Sequence, residues 1–300
     1  MQETVLITGG SGLVGSHLTT LLLSNGYRVR HLSRNKEKGK EVEQFKWNLV
    51  KEEWDSTSII GVDYIIHLAG ANVAEGRWTT QRKKQILETR IAGSRLVAEM
   101  VEASQGSIKG VVSASAVGYY GIDYKEKPAI ETDEPGADFL ADVCVQWERE
   151  VKKCATKVAI LRTGVVLAKE GGAVPKMLAP IKFGVGAPLG SGKQPMPWIH
   201  INDLCNMYLF AVQNGLDDVY NAVAPNSVTN QELTNQLAKA ANRKLLLPNV
   251  PAFMLKLMLG EMSSMLLTGV EVSVDKVLKK GFEFRFSTLT SALSHLLHKI

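Results

Sequence analysis

The sequence predicts an α/β fold, a doubly wound parallel sheet with a smaller C-terminal lobe. Three observations carry this. Short apolar runs alternate with helical patterns through the first half of the 300 residues. A glycine cluster stands where the first strand-like run gives way to the first helix. After about residue 165 the chain becomes rich in turn formers, as at Gly171-Gly172 and residues 184–188 and 190–197.

Taken in order, strand-like runs fall at residues 4–8, 28–32, 44–47, 64–68, 110–114 and 158–162, with helical patterns at 12–24, 81–103 and 138–154. Each strand followed by a helix is the crossover unit of a parallel sheet. The helix at 81–103 needs an apolar stripe toward the sheet, supplied by Ile86, Ile91, Leu96, Val97 and Met100. In the second half the pattern gives helices at 203–213 and 231–241, a short strand at 219–222 and an apolar helical run at 251–267. A Phe282-Glu283-Phe284-Arg285-Phe286 stretch precedes a final amphipathic helix. The expected division is residues 1–168 as the nucleotide-binding unit, with later segments returning to it, and 169–300 mainly as a substrate lobe and helical extension.

The first turn carries chemistry. Gly10, Gly12 and Gly15 satisfy G-x-G-x-x-G after a strand and opening a helix, the one context in which that spacing is informative. Residues without a β-carbon let a pyrophosphate approach the backbone, and the free amides at the helix start favour its charge. The alternative is a purely structural turn. About 20 residues on, an NAD site would place a carboxylate for the ribose 2′-hydroxyl. This chain has Ser33 and Arg34, with Lys36 and Lys38 close behind. A hydroxyl and a guanidinium would hold a 2′-phosphate that a carboxylate would repel, so NADP(H) is expected over NAD(H).

The net charge of +5 is spread along the chain with no basic block, which fits an anionic small molecule and argues against nucleic acid as a partner. Cys144, Cys154 and Cys205 show no metal spacing and no disulfide framework, pointing to a reducing, cytoplasmic setting. The first strand starts within three residues of Met1, so no signal or transit peptide is expected, and no apolar run reaches membrane-spanning length. The six histidines, among them the His295/His298 pair, suggest no metal site.

Several segments together resemble the extended short-chain dehydrogenases/reductases. They are Thr8-Gly9-x-x-Gly12-x-x-Gly15, His67-Leu68-Ala69-Gly70-Ala71, residues 111–115 followed by Tyr120-Gly121, residues 161–167, and residues 198–204. Arg77-Trp78-Thr79, Gly118-Tyr119-Tyr120-Gly121, Asp138-Phe139-Leu140 with Trp147-Glu148, Gly190-Ser191-Gly192 and Gly281-Phe282 make it similar to an atypical branch, the "epimerase family protein" group with a conserved C-terminal extension. The resemblance covers essentially the whole chain and implies a Rossmann fold binding NADP(H). It implies a phosphate loop of Gly9, Ser11, Gly12, Leu13, Val14 and Gly15. Ser33 and Arg34 would take the 2′-phosphate, and Leu68, Ala69 and Gly70 the adenosine side. Gln85 and Arg90 would reach back from the helix, and Ser113 and Val165 would lie near the nicotinamide. Helix-pair homodimers are common in the superfamily; the oligomeric state is otherwise open.

The working enzymes of that superfamily carry Tyr-x-x-x-Lys on the helix after the 110–114 strand, where residues four apart share a face and the lysine lowers the tyrosine pKa. Here those positions hold Phe139 and Val143, and the lysine of Tyr124-Lys125 has the wrong spacing. Two functions fit. One is an NADP(H)-dependent oxidoreductase or epimerase-like enzyme acting on a small polar metabolite such as a sugar derivative, with acid/base work moved to Ser115, Tyr120 or its neighbour Tyr119, or His200. The other is a non-catalytic NADP(H)-binding regulator or interaction protein, in which the same tyrosine, serine and histidine serve packing and hydrogen bonding. An enzyme should present a polar cleft with a proton donor at the nicotinamide; a regulator should cover it with apolar groups. Glu148 reads as a structural or exposed carboxylate.

Overall fold

The computed structural model describes residues 2–34, 42–122 and 127–297. Lys36, Lys38, Tyr124, Lys125 and His298 lie outside the described residues. In chain order the elements begin β1 (Thr4–Thr8), α1 (Leu13–Ser24), β2 (Arg28–Ser33), β3 (Glu43–Asn48), β4 (Glu53–Trp54), β5 (Tyr64–His67), α2 (Thr80–Ala103), β6 (Gly110–Ala116), α3 (Phe139–Val151) and β7 (Lys157–Thr163). They continue with β8 (Val165–Leu167), α4 (Ala173–Lys182), β9 (Trp198–His200), α5 (Ile201–Gln213), β10 (Asp218–Ala222), α6 (Asn230–Ala240), α7 (Ala252–Leu259), α8 (Ser264–Leu267), α9 (Asp275–Lys279) and α10 (Leu289–Leu297).

Among the described residues the main sheet has eight strands in the order β10-β7-β6-β5-β1-β2-β3-β4, parallel throughout except for the antiparallel β3–β4 pair. This is a Rossmann sheet: the order reverses between β1 and β5, which leaves a crevice beyond their carboxyl ends. Both faces are covered. Leu18 and Leu22 of α1 share one core cluster with Leu204, Tyr208 and Val212 of α5, whereas Leu96, Val97 and Met100 of α2 share the opposite cluster with Val151 of α3. That double burial is why β1 and β5 read as continuous apolar runs. The 219–222 strand, read among the second-lobe elements, is β10 and pairs parallel with β7 at the sheet edge.

A separate cluster joins elements from the second half of the chain: Leu178 and Ile181 of α4, Trp198 of β9, Leu233 and Leu237 of α6, and Leu289 and Leu293 of α10. Sequence pattern missed one element and misread two places. Residues 173–182, which lie between the turn-rich segments and carry no element in the sequence reading, form α4; Pro175 sits in its first turn, where the missing N–H has no helical partner. The 251–267 run is not one helix, because Gly260 at φ +63° breaks it into α7, a 3₁₀ turn and α8. Ile91 leaves the core stripe of α2 and lines a cleft instead.

The parting of β1 and β5 is pinned by side chains. Thr8 Oγ1 accepts from the amides of Leu68 (3.2 Å) and Ala69 (3.3 Å). Its own proton therefore goes to His67 Nδ1, 2.7 Å away. His67 Nε2 lies 3.4 Å from Ser94 Oγ on α2, so the fully buried ring ties both strands to the helix. Burial, reinforced by the charge of Arg90, pushes the pKa of His67 down to about 3 from its ordinary 6.5. The unfolded chain takes up this proton below pH 6.5, while the folded chain refuses it until about pH 3, so stability falls with pH inside that window and is complete above it. A His67→Gln variant should lose about 2 kcal/mol less stability than the wild type between pH 7 and pH 5, as read by urea denaturation.

Candidate functional site

The β1–α1 turn is built for close backbone approach. Gly9 adopts φ +75°, and the Gly12 amide donates to the Gly9 carbonyl at 3.0 Å. A β-carbon at Gly15 would run into the Gly9 carbonyl oxygen and lie 2.7 Å from Gly10 Cα. Where α2 and α3 are capped by the side chains of Thr79 and Asp138, α1 starts at Gly12 with no side-chain cap. Its first-turn amides therefore keep their donors for a ligand.

Beyond this turn lies a cleft of about 1520 Å³. It brings together nine of the expected contacts: Gly9, Ser11 and Gly12 of the turn, Ser33 and Arg34 after β2, Leu68, Ala69 and Gly70 after β5, and Gln85 of α2. Leu13, Val14 and Gly15 stand behind the turn in the first coil of α1. Arg90 is half-buried beside Gly70, donating to the carbonyls of Ala71 (3.0 Å) and Ile86 (2.9 Å) with its guanidinium 4.9 Å from the Trp147 ring centroid. Ser113 is fully buried and donates to the Ala114 carbonyl; Val165 is half-buried in β8. Pattern reasoning missed Trp47 and Asn48 at the end of β3, and Arg82, Lys84 and Arg95 of α2, all of which line the cleft. No local signal marks them: only the pairing of β2 with β3, which the fold sets, brings residues at the end of β3 into the cleft beside Ser33 and Arg34. The cleft's charged lining is Arg34, Arg82, Lys84 and Arg95 against Glu52 and Glu88, four positive groups to two negative, which suits a polyanion.

At the carboxyl ends of β6 and β7 lies a buried polar network. Arg162 of β7 donates to both Glu148 oxygens, Nε to Oε1 at 2.8 Å and Nη2 to Oε2 at 2.9 Å, with both side chains at most 3% exposed. Ser115 donates to the same carboxylate at 2.7 Å. Tyr120 donates to Asn221 Oδ1 at 2.6 Å and accepts from Arg162 Nη1 at 3.1 Å; burial pushes its pKa up to about 12. Tyr119 is half-buried, its ring stacked 3.3 Å from the guanidinium. Burial opposes the charge on Arg162, yet Glu148 outweighs it and raises its pKa.

His200 is fully buried at the end of β9. It caps α5 by accepting from the Asn202 amide at 3.0 Å, stacks on Phe286, and has Nε2 3.1 Å from His295 Nδ1. Burial, with smaller contributions from His295 and Arg285, brings its pKa down to about 3. Phe139 and Val143 of α3 join Trp78, Ile86 and Met262 in an apolar cluster; Ala71 and Leu87 belong to both this cluster and the cleft, so the cluster walls one end of it. Among the described residues no group of three or more His, Cys, Asp and Glu converges on a metal position.

Breaking the ion pair from one side strands a buried charge. Glu148→Gln should destabilise the fold by about 3–5 kcal/mol, and Arg162→Met added to it should cost much less than a second independent loss. Urea denaturation of the two single variants and the double variant reads this directly.

The sequence profile of the NAD dependent epimerase/dehydratase family matches residues 5–222, and that of a domain of unknown function, DUF1731, matches residues 250–296. The chain is 35% identical to the Bacillus subtilis epimerase family protein YfhF, covering 98% of this chain and 97% of the relative. It is also 35% identical to the Arabidopsis thaliana chloroplastic homologue of epimerase family protein SDR39U1, over 99% of this chain and 87% of the other. The crystal structure of the human epimerase family protein SDR39U1 with NADPH superposes with a TM-score of 0.88 at 29% identity, covering 99% of this chain and 100% of that one. A UDP-glucose 4-epimerase from Thermotoga maritima shares the fold, with a TM-score of 0.80 at 21% identity over 98% and 97% of the two chains.

Proposed function

The chain belongs to the NAD-dependent epimerase/dehydratase family, and from that premise we propose that it binds NADP(H) in the cleft and works as a cofactor-responsive regulator or interaction protein. The cofactor reading is supported by the uncapped start of α1, by the room that Gly15 leaves, by the basic cleft and by the human relative crystallised with NADPH. The glycine turn would hold the diphosphate, Ser33 and Arg34 the 2′-phosphate, and the β5–β6 side of the crevice the nicotinamide. When bound, the cofactor would supply a hydride donor or acceptor.

One observation carries the regulatory reading. The two α3 positions where the superfamily's enzymes keep tyrosine and lysine hold Phe139 and Val143, and both pack in an apolar cluster with Trp78 and Met262. Neither can exchange a proton, and loss of such a group costs about 10²–10⁴ in rate. The other candidate donors are committed elsewhere: Ser115 to Glu148, Tyr120 to Asn221, and His200 to the cap of α5. The three cysteines are buried and free, which fits a reducing cytoplasm.

A second reading, an oxidoreductase or epimerase-like enzyme for a small polar metabolite such as a sugar derivative, is favoured by Tyr119. That ring is only half-buried and rests on Arg162 at the carboxyl end of the sheet. A screen of carbonyl compounds and sugars for NADPH oxidation decides between the two. The regulatory reading expects no turnover above the buffer rate; turnover lost in Tyr119→Phe or Tyr120→Phe would replace it with the enzymatic one.

Cofactor choice is tested separately. Arg34→Ala should weaken NADPH binding about ten- to a hundred-fold and leave NADH binding nearly unchanged, the size of a lost charge-assisted hydrogen bond. Titration of intrinsic fluorescence measures both, and an equal loss for the two cofactors contradicts the 2′-phosphate assignment.

A further inference from the structure

The first turns of α2 face two ways. On the cleft side stand Gln81, Arg82, Lys84 and Gln85. On the other side Lys83 donates to both oxygens of Glu261, at 2.7 and 3.0 Å, and lies 4.6 Å from the Phe139 ring centroid. Arg77 donates to the Leu257 carbonyl at 3.0 Å, and Trp78 shares its apolar cluster with Leu259, Met262 and Met265. The C-terminal extension from α7 to α8 is thus held by the same short stretch that borders the cleft.

That stretch is knit into one piece. Arg82 Nη2 donates to the Asn72 carbonyl (2.6 Å) and to Glu75 (3.2 Å), its Nη1 donates to Gln85 (2.7 Å), and Trp78 Nε1 donates to the Val73 carbonyl (2.8 Å). One donor is left over. Arg82 Nε is buried, has no hydrogen-bond partner among the described residues, and belongs to a side chain that lines the cleft. A buried charged donor without a partner is costly, and an anionic ligand oxygen would relieve it.

We propose that Arg82 is a cofactor ligand, its Nε taking an anionic oxygen of NADP(H), and that this engagement fastens residues 252–267 against α2 through Lys83–Glu261 and Arg77–Leu257. The proposal rests on the cofactor reading above and adds its regulatory output: occupancy of the cleft is converted into docking of the extension. Coupling is reciprocal, so whatever factor NADP(H) contributes to docking, the docked extension returns to NADP(H) affinity. An ion pair as exposed as Lys83–Glu261 carries a factor of at most about five.

Hydrogen exchange of the full chain, with and without saturating NADPH, tests this beside NADPH titrations of Lys83→Met, Glu261→Gln and Arg82→Gln. NADPH should slow exchange across residues 252–267 about two- to five-fold. Lys83→Met and Glu261→Gln should each remove that slowing and weaken NADPH binding by the same factor, and Arg82→Gln should weaken it about ten-fold or more. Protection of residues 9–15 with no change at 252–267 overturns the coupling while leaving cofactor binding intact, as does unaltered NADPH affinity in both latch variants. Unaltered affinity in Arg82→Gln overturns the ligand assignment. No protection at residues 9–15 and no uptake of NADPH overturns the cofactor reading and the coupling with it.

Discussion

Everything at the cleft depends on how β1 and β5 separate. Parallel strands that stay paired leave no crevice; strands that part must satisfy the backbone groups they release. Thr8 does this with a single hydroxyl, accepting from the amides of Leu68 and Ala69 and donating to His67. Because His67 also reaches Ser94, the position of α2 is fixed by the same few atoms. The glycine turn on one side and the Leu68–Ala69–Gly70 segment on the other are therefore held at a set separation before any ligand arrives, which is preorganisation in the useful sense: ordering costs are met during folding.

A second constraint operates where the superfamily's enzymes would work. Arg162 and Glu148 form a buried two-pronged ion pair that gathers Ser115, Tyr120 and Asn221 around it. Desolvating two charges is expensive, and such pairs add little net stability when compared with apolar packing. Their contribution here is geometric. They join α3 to β7 and tie the turn after β6 to β10, so Ser115 and Tyr120, two of the residues that sequence pattern offers as acid or base, are already engaged in one network. The neighbouring wall of Phe139, Val143 and Met262 is apolar for the complementary reason: with no lysine or tyrosine to hydrate, residues from the extension can pack directly on α3.

Local chemistry was legible in the sequence and long-range chemistry was not. The strand, turn and helix around Gly9–Gly15 could be read because glycine spacing, apolar run and helical period all fall within a dozen residues. Arg34 could be read because its place follows from the length of α1 and β2. Trp47, Arg82 and Arg95 required knowing which strand neighbours which and how α2 rotates over the sheet. Glu148 illustrates the limit. On a helix beside Trp147 it suggests a structural or exposed carboxylate; only the arrival of Arg162 from β7 buries it. His200 shows the same effect, its partners being a backbone amide two residues on and a side chain from α10. The helix α4 had no such local signal: Pro175 and Pro180 interrupt its pattern, and packing of Val174, Leu178 and Ile181 against β9 and α6 imposes the helix.

The borders of the main sheet have a consequence for the chain in a crowded solution. An open strand edge invites lateral addition of another chain, and parallel sheets with two free borders are exposed to it twice. Here one border ends in β4, a two-residue strand that doubles back antiparallel on β3 and offers too little ladder to extend. The other ends in β10, where Asp218 departs from regular strand geometry at φ +149°, is salt-bridged to Lys276, and α9 packs against the strand. Polymerisation through strand addition is thereby disfavoured at both ends.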